Sequence, residues 1–226
     1  MIKISEIIKT TLLGLFFGTI GTTLGGIIGV KSNITSNRFL SFILEFAAGL
    51  MMAIVCFELI PESLELTNIA NVFLGIILGV ITMIWCDNII NKKYMEKNIK
   101  NNNTLLKTGI IVGIGLAIHN FPEGLAIGSG FEASTKLGIT LAIAILLHDI
   151  PEGISMSVPM KSGGMKPKKA LAYTIISGIT TGIGAFFGVI LGNISTTIIA
   201  ICLAFAAGAM LYISSRRINT WIKQII

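Results

Sequence analysis

The sequence predicts an all-α integral membrane protein of about seven transmembrane helices, and three observations predict it. Hydrophobic residues make up 53% of the 226 residues and charged ones only 12%. The mean hydropathy of +0.86 lies far above that of a water-soluble domain. Apolar runs of about 20 residues, the length that crosses a bilayer, recur from one end of the chain to the other. Together they predict a single transmembrane domain over residues 1–226, embedded in the lipid bilayer of a cell membrane.

The predicted spans follow in order. The first, 7–29, is an apolar run with glycines at Gly14, Gly18, Gly21, Gly25 and Gly29, a spacing that lets neighbouring helices approach closely. It has no A-x-A-type cleavage site and so does not read as a signal peptide. The second, 39–60, ends on acidic residues, with Glu58, Glu62 and Glu65 forming a rim able to gather cations. The third is 69–90. A polar, asparagine- and lysine-rich stretch, 91–107, then reads as a flexible basic loop beside anionic lipid. The remaining spans are 105–128, 137–158, 170–192 and 196–213. Cys56, Cys86 and Cys202 are odd in number, have no CxxC spacing and read as small buried hydrophobes.

Charge orients the chain. The loops after the first, third and fifth spans, with the C-terminal tail, carry 14 of the 17 basic residues; Lys3, Lys9 and Lys136 are the others. The basic loops and the tail are therefore expected in the cytoplasm and the N-terminus outside. The net charge of +6 is explained by this asymmetry and gives no support to nucleic-acid binding.

Two internal repeats stand out. Glu45–Met52 (EFAAGLMM) resembles Ala204–Leu211 (AFAAGAML) at an offset of 159 residues, on spans predicted to run in opposite directions. That is an inverted repeat, a pattern found in carriers that rock about a midplane site. The second repeat holds both histidines of the chain. His119-Asn120-Phe121-Pro122-Glu123-Gly124 and His148-Asp149-Ile150-Pro151-Glu152-Gly153 lie 29 residues apart, each inside an apolar run. Ionisable groups at that depth are functional hypotheses by default.

The residue types explain the word. Histidine and glutamate four apart share one helix face, about 6 Å apart along the axis. Imidazole and carboxylate together suit borderline divalent cations. Each proline removes a backbone donor, freeing the carbonyls of Ile118 and Leu147 and predicting a helix break. The glycines leave room for a neighbouring helix or an ion. Asn120 and Asp149 follow each histidine on an adjacent face, where they can serve a second ion that shares the glutamates. A hydrogen-bonded polar core or a proton relay without metal is the alternative reading.

With these motifs the chain resembles the ZIP (Zrt-, Irt-like protein) family of divalent-metal transporters. The resemblance rests on HNFPEG and HDIPEG, on FAAGLMM and ELIPES in the second span, and on AFAAGAMLY in the seventh. It implies a midplane, often binuclear, metal site built by the fourth and fifth helices. It also implies a bundle of eight helices arranged 3+2+3, carrying zinc, and often iron, manganese or cadmium, toward the cytoplasm. On this resemblance His119, Glu123, His148 and Glu152 form the main site, Asn120 and Asp149 serve the second, and Met51 approaches from the second span or is simply core.

Three departures accompany the resemblance. Thr181 stands where many members carry an acidic residue in the sixth span, which weakens or removes the second metal position. Under the 159-residue offset, Glu58 falls on Arg217 and Glu62 on Trp221, so a cationic end replaces an acidic one; Arg216 and Arg217 either anchor in headgroups or face the pathway. The usual eighth helix is expected to be lacking, with Trp221–Ile226 too short to cross and lying at the interface.

The functional expectation is a secondary carrier of Zn2+, or of Fe2+, Mn2+ or Cd2+, with no bound cofactor. The runner-up is a non-transporting metal-binding membrane protein. An intramembrane hydrolase finds no support, because HExxH and any ordered catalytic set are missing from the sequence. The small-residue spans leave both intramolecular packing and a homodimer open.

Overall fold

The computed structural model describes residues 4–32, 37–90 and 104–225. Among these the regular structure is helical throughout: α1 (Ile4–Lys31), α2 (Asn37–Ile54), a π turn (Val55–Leu59), α3 (Ile60–Leu66), α4 (Ile69–Ile90), α5 (Thr104–Ala133), α6 (Thr135–Ser162), α7 (Pro167–Gly192) and α8 (Thr196–Ile225). Seven helical rods are long and apolar enough to cross a membrane, with α2, the π turn and α3 joined into one, Ser41–Leu66. Large apolar side chains such as Phe42, Phe57, Trp85 and Ile176 stay exposed on the outside of the bundle. That surface suits acyl chains and would be a liability in water.

The helices outrun several predicted ends. The second span was expected to close at Ile60, before Pro61, yet the rod continues to Leu66. Pro61 falls in the first turn of α3, where its missing N–H is least costly, and the wider π turn just before it relieves the ring's clash. Pro122 and Pro151 do not break α5 and α6 as expected, but sit inside continuous helices. Each removes one bond from a ladder that has no competing water in an apolar setting. The Trp221 segment, expected to lie at the interface, continues α8 without interruption to Ile225. Of the predicted basic loop, 91–103 lie outside the described residues and 104–107 already belong to α5. The side chains of Arg216 and Arg217 are also outside the described set.

Glycine contacts divide the bundle into two bodies. In the first, α1 lays its glycine row against α6 and α7. A Cβ added at Gly14 or Gly18 would strike Ala185 or Thr181 of α7, and one at Gly21 or Gly25 would strike Asp149 or the Ile150 carbonyl of α6. Helices α5 and α7 meet the same way, Gly124 against the Thr181 backbone and Gly184 against the Phe121 carbonyl. Where lipid removes the hydrophobic drive between helices, such backbone proximity supplies the packing energy. In the second body α4 meets α8 the same way, Gly79 against Phe205 and Gly208 against Ile76. Among the described residues α2–α3 packs without glycine contacts, α3 on α8 and α2 on both α8 and α6. Between the bodies lies the largest apolar cluster, which includes Leu59, Ile127, Leu141, Ile145, Leu203 and Met210, all with no exposed surface.

One joint positions everything that follows. Ser134 alone links α5 to α6, its side chain accepting a hydrogen bond from the Leu137 N–H at 3.1 Å as an N-cap. His119 lies 15 residues before this serine and His148 lies 14 after it. At 1.5 Å per residue both histidines sit about 21–22 Å from the turn, hence at one depth on adjacent antiparallel helices. The repeat spacing is thus converted into a pairing of the two words. At the opposite end, Lys161 donates to the Ser32 carbonyl at 2.9 Å, tying α6 to the C-terminal end of α1, where a cation suits the helix dipole.

Candidate metal centre

The two six-residue words converge on one oxygen. Glu123 Oε1 lies 2.6 Å from His148 Nε2 and 2.8 Å from His119 Nε2. Glu152 Oε1 approaches His119 Nε2 at 3.5 Å, and Asp149 Oδ1 lies 3.7 Å from His148 Nε2. The imidazole centroids are 6.5 Å apart and their planes are inclined at 46°. His119, Asn120, Glu123, His148, Asp149 and Glu152 are all buried, none exposing more than 1% of its surface.

Potential ligand atoms fall into two overlapping groups. His119, Glu123 and His148 each offer one within 4.8 Å of the others, and so do Glu123, Asp149 and Glu152. The first group is mixed nitrogen and oxygen, the second all carboxylate. They share Glu123, an arrangement suited to two adjacent cations bridged by one carboxylate.

Hydrogen bonding leaves these groups aimed inward. His148 Nδ1 donates to the Ala144 carbonyl at 3.1 Å, which assigns the neutral ring's lone pair to Nε2, the atom facing Glu123. A lone pair and a carboxylate oxygen 2.6 Å apart repel unless a proton or a cation joins them. Nδ1 of His119, Oε2 of Glu123 and Oδ2 of Asp149 are buried without a hydrogen-bond partner. Buried polar atoms are rarely left this way, and buried carboxylates in a low-dielectric interior need a counter-charge. A divalent cation satisfies both requirements.

Asn120 is held from outside the pair of words. Its amide donates to the Ser177 carbonyl of α7 at 3.0 Å, leaving Oδ1 buried and unpartnered. The same carbonyl accepts from Thr180 Oγ1 at 2.6 Å. Neither orienting carbonyl is among the sequence candidates. Ala144 could have been found as the residue one turn before His148, whereas the Ser177 contact is tertiary and leaves no local signal.

Two further sequence candidates stand differently. Met51 is fully buried on α2. Thr181 is buried with its hydroxyl unpartnered, and its side chain fills the notch at Gly18 of α1. Ile118, whose carbonyl Pro122 releases, lines an apolar cleft of about 310 Å³ between α4, α5, α7 and α8. At the end of the second rod, Glu58 and Glu62 are half-buried and Glu65 is exposed.

Comparison with known proteins decides the family. The sequence profile described as ZIP Zinc transporter matches residues 96–218, more than half of the chain. The chain is a member of the ZIP family. Relatives of this ZIP protein include the "Zinc transporter ZupT" of Chlorobium phaeovibrioides, 34% identical over 230 residues, covering 93% of this chain and 86% of the relative. The proteins of the same description from Shigella dysenteriae and an Enterobacter species are each 32% identical, covering 90% of this chain and 83% of theirs. The profile match begins ahead of α5 and runs into α8, so it contains both histidine words and every residue of the buried cluster.

Proposed function

We propose that this ZIP protein carries divalent cations, zinc foremost, across the cell membrane toward the cytoplasm, and that the buried cluster is where the cargo rests. The observation that carries the reading is Glu123, whose Oε1 is set between two imidazole nitrogens and whose carboxylate belongs to two ligand groups, in a chain whose relatives are described as zinc transporters. His119, Glu123, His148 and Glu152 would hold the first ion. Asp149, with both glutamates, would hold the second, and Asn120 Oδ1 is free to join it.

The chemistry follows from the donors. A cation at Glu123 sheds water as neutral imidazoles supply lone pairs and carboxylates offset its charge. Because Glu123 belongs to both groups, an ion can pass from one to the other without losing that ligand. The acidic rim at Glu58, Glu62 and Glu65 gathers cations on the face we assign to the outside. The apolar cluster between the two bodies blocks the direct path from that face, so access requires the bodies to shift relative to each other. Glycine-lined contacts hold α1, α5, α6 and α7 together while they do so. With basic loops inside, release is to the cytoplasm.

The test is zinc-65 uptake into proteoliposomes, comparing the intact chain with its Glu123→Ala, Glu152→Ala double variant. Uptake above empty vesicles that the variant loses supports the carrier. Zinc bound by the intact protein with no uptake overturns transport and leaves a metal-binding membrane protein.

A further inference from the structure

The row of α6 side chains that carries His148 and Glu152 does not end there. His148, Glu152, Met156 and Met160 follow one another at intervals of four, so each stands one turn beyond the last on a slowly rotating face. Met156 and Met160 lie about 6 and 12 Å beyond Glu152 along the axis, toward the Lys161 end. They expose 2% and 1% of their surface. On the facing helix, Leu116 precedes His119 by three residues and packs in the same cluster as both methionines and Ala170 of α7. Below it α5 has Gly113 and Gly109, whose missing side chains are replaced by Met156 and Met160: a Cβ at Gly113 would meet the Met156 thioether, and one at Gly109 would meet Met160.

The two sides of the buried cluster are therefore closed unequally. Toward Ser134, fourteen buried residues drawn from both bodies form the barrier. Toward Lys161, the fully enclosed apolar barrier among the described residues is four residues, and two of them are unbranched thioethers lying in glycine notches. Methionine has three rotatable bonds and a polarizable sulfur, so it can swing aside without leaving an unsatisfied group and can slide past a cation more readily than a branched hydrocarbon. Pro159 adds to this, since its missing N–H removes the helical donor of the Ser155 carbonyl beside the plug.

We infer that Met156 and Met160, packed in the notches at Gly109 and Gly113, are the gate between the metal cluster and the side facing the basic loops. This rests on the cluster being the cargo site. It adds that the final step toward release is a side-chain motion inside the α1/α5/α6/α7 body, separate from the movement between the bodies.

Metal exchange in purified protein tests the gate without requiring transport. The protein in detergent is loaded with Zn2+, and release to excess chelator is followed by stopped flow, with affinity measured separately at equilibrium. Met156→Ala with Met160→Ala removes the plug. Release and rebinding are expected to speed up together by about tenfold or more, corresponding to about 1.4 kcal/mol of opening cost, with the equilibrium affinity unchanged. Met156→Leu with Met160→Leu keeps the volume and the fold but stiffens the plug with branched side chains, and exchange becomes slower than in the intact chain. Leu203→Ala, which opens similar space on the Ser134 side, leaves the rate unchanged. Equal acceleration by Leu203→Ala, or no acceleration by the double alanine variant, overturns the gate. An intact protein that binds no zinc overturns the cargo site itself, a separate result seen at the loading step.

Discussion

Glu123→Gln is the perturbation that discriminates most sharply, because Glu123 belongs to both ligand groups. Glutamine keeps the shape and removes the charge. At the first position it takes away the carboxylate oxygen that lies 2.6 and 2.8 Å from the two Nε2 atoms. At the second it leaves Asp149 and Glu152 without their shared partner. Removing one charged member from a buried ionic set costs about 3–5 kcal/mol. That corresponds to a loss of zinc affinity of about 10²–10³-fold or more. Competition titration of the purified protein against a chelator of known affinity reads this directly, and equilibrium dialysis gives the number of ions bound. The pattern across variants carries the argument. Glu123→Gln weakens every bound ion. Asp149→Asn removes only the ion held by carboxylates, and His119→Gln with His148→Gln removes only the ion held by imidazoles. A Glu123→Gln protein whose zinc affinity stays within threefold of the intact chain would refute a shared bridging carboxylate.

Three other expectations concern the scaffold, each read by thermal unfolding in detergent. Gly124→Ala drives a methyl into the Thr181 carbonyl and destabilises by about 1–3 kcal/mol, whereas Gly115→Ala, where an added Cβ meets nothing within 4 Å, is neutral or stabilising. Ser134→Ala removes the cap that joins α5 to α6 and costs about 1 kcal/mol, while Ser134→Asn, which keeps a side-chain acceptor, costs little. Tyr212→Phe deletes a hydrogen bond of 2.8 Å to Asp87 that links α8 to α4; it lowers stability by about 1–2 kcal/mol and leaves zinc affinity unchanged.

Much of this was legible in the residues, for identifiable reasons. Spans of about 20 apolar residues are set by bilayer thickness, so their number and rough placement could be read directly. The buried His/Glu cluster was legible because both histidines occur in one repeated word, and the equal arms on either side of Ser134 translate that repeat into contact. Helix ends were less legible. Pro61, Pro122 and Pro151 suggest breaks by local rules, yet each is accommodated, the first by a π turn and the others by ladders that water does not contest. The contacts that orient the ligands were hidden for another reason. Ser177 meets Asn120 through a backbone carbonyl, which any residue type could supply. Met156 and Met160 were equally silent, since methionine in an apolar run reads as core until the opposing glycines are seen in place.

The central claim is that the cargo is held by the imidazoles and carboxylates of α5 and α6, and zinc K-edge X-ray absorption on loaded protein addresses it most directly. The account predicts a first shell of nitrogen and oxygen at about 2.0–2.1 Å with imidazole scattering, and loss of that scattering in the His119→Ala, His148→Ala variant. A shell containing sulfur at about 2.3 Å, or imidazole scattering that survives the double variant, would contradict it.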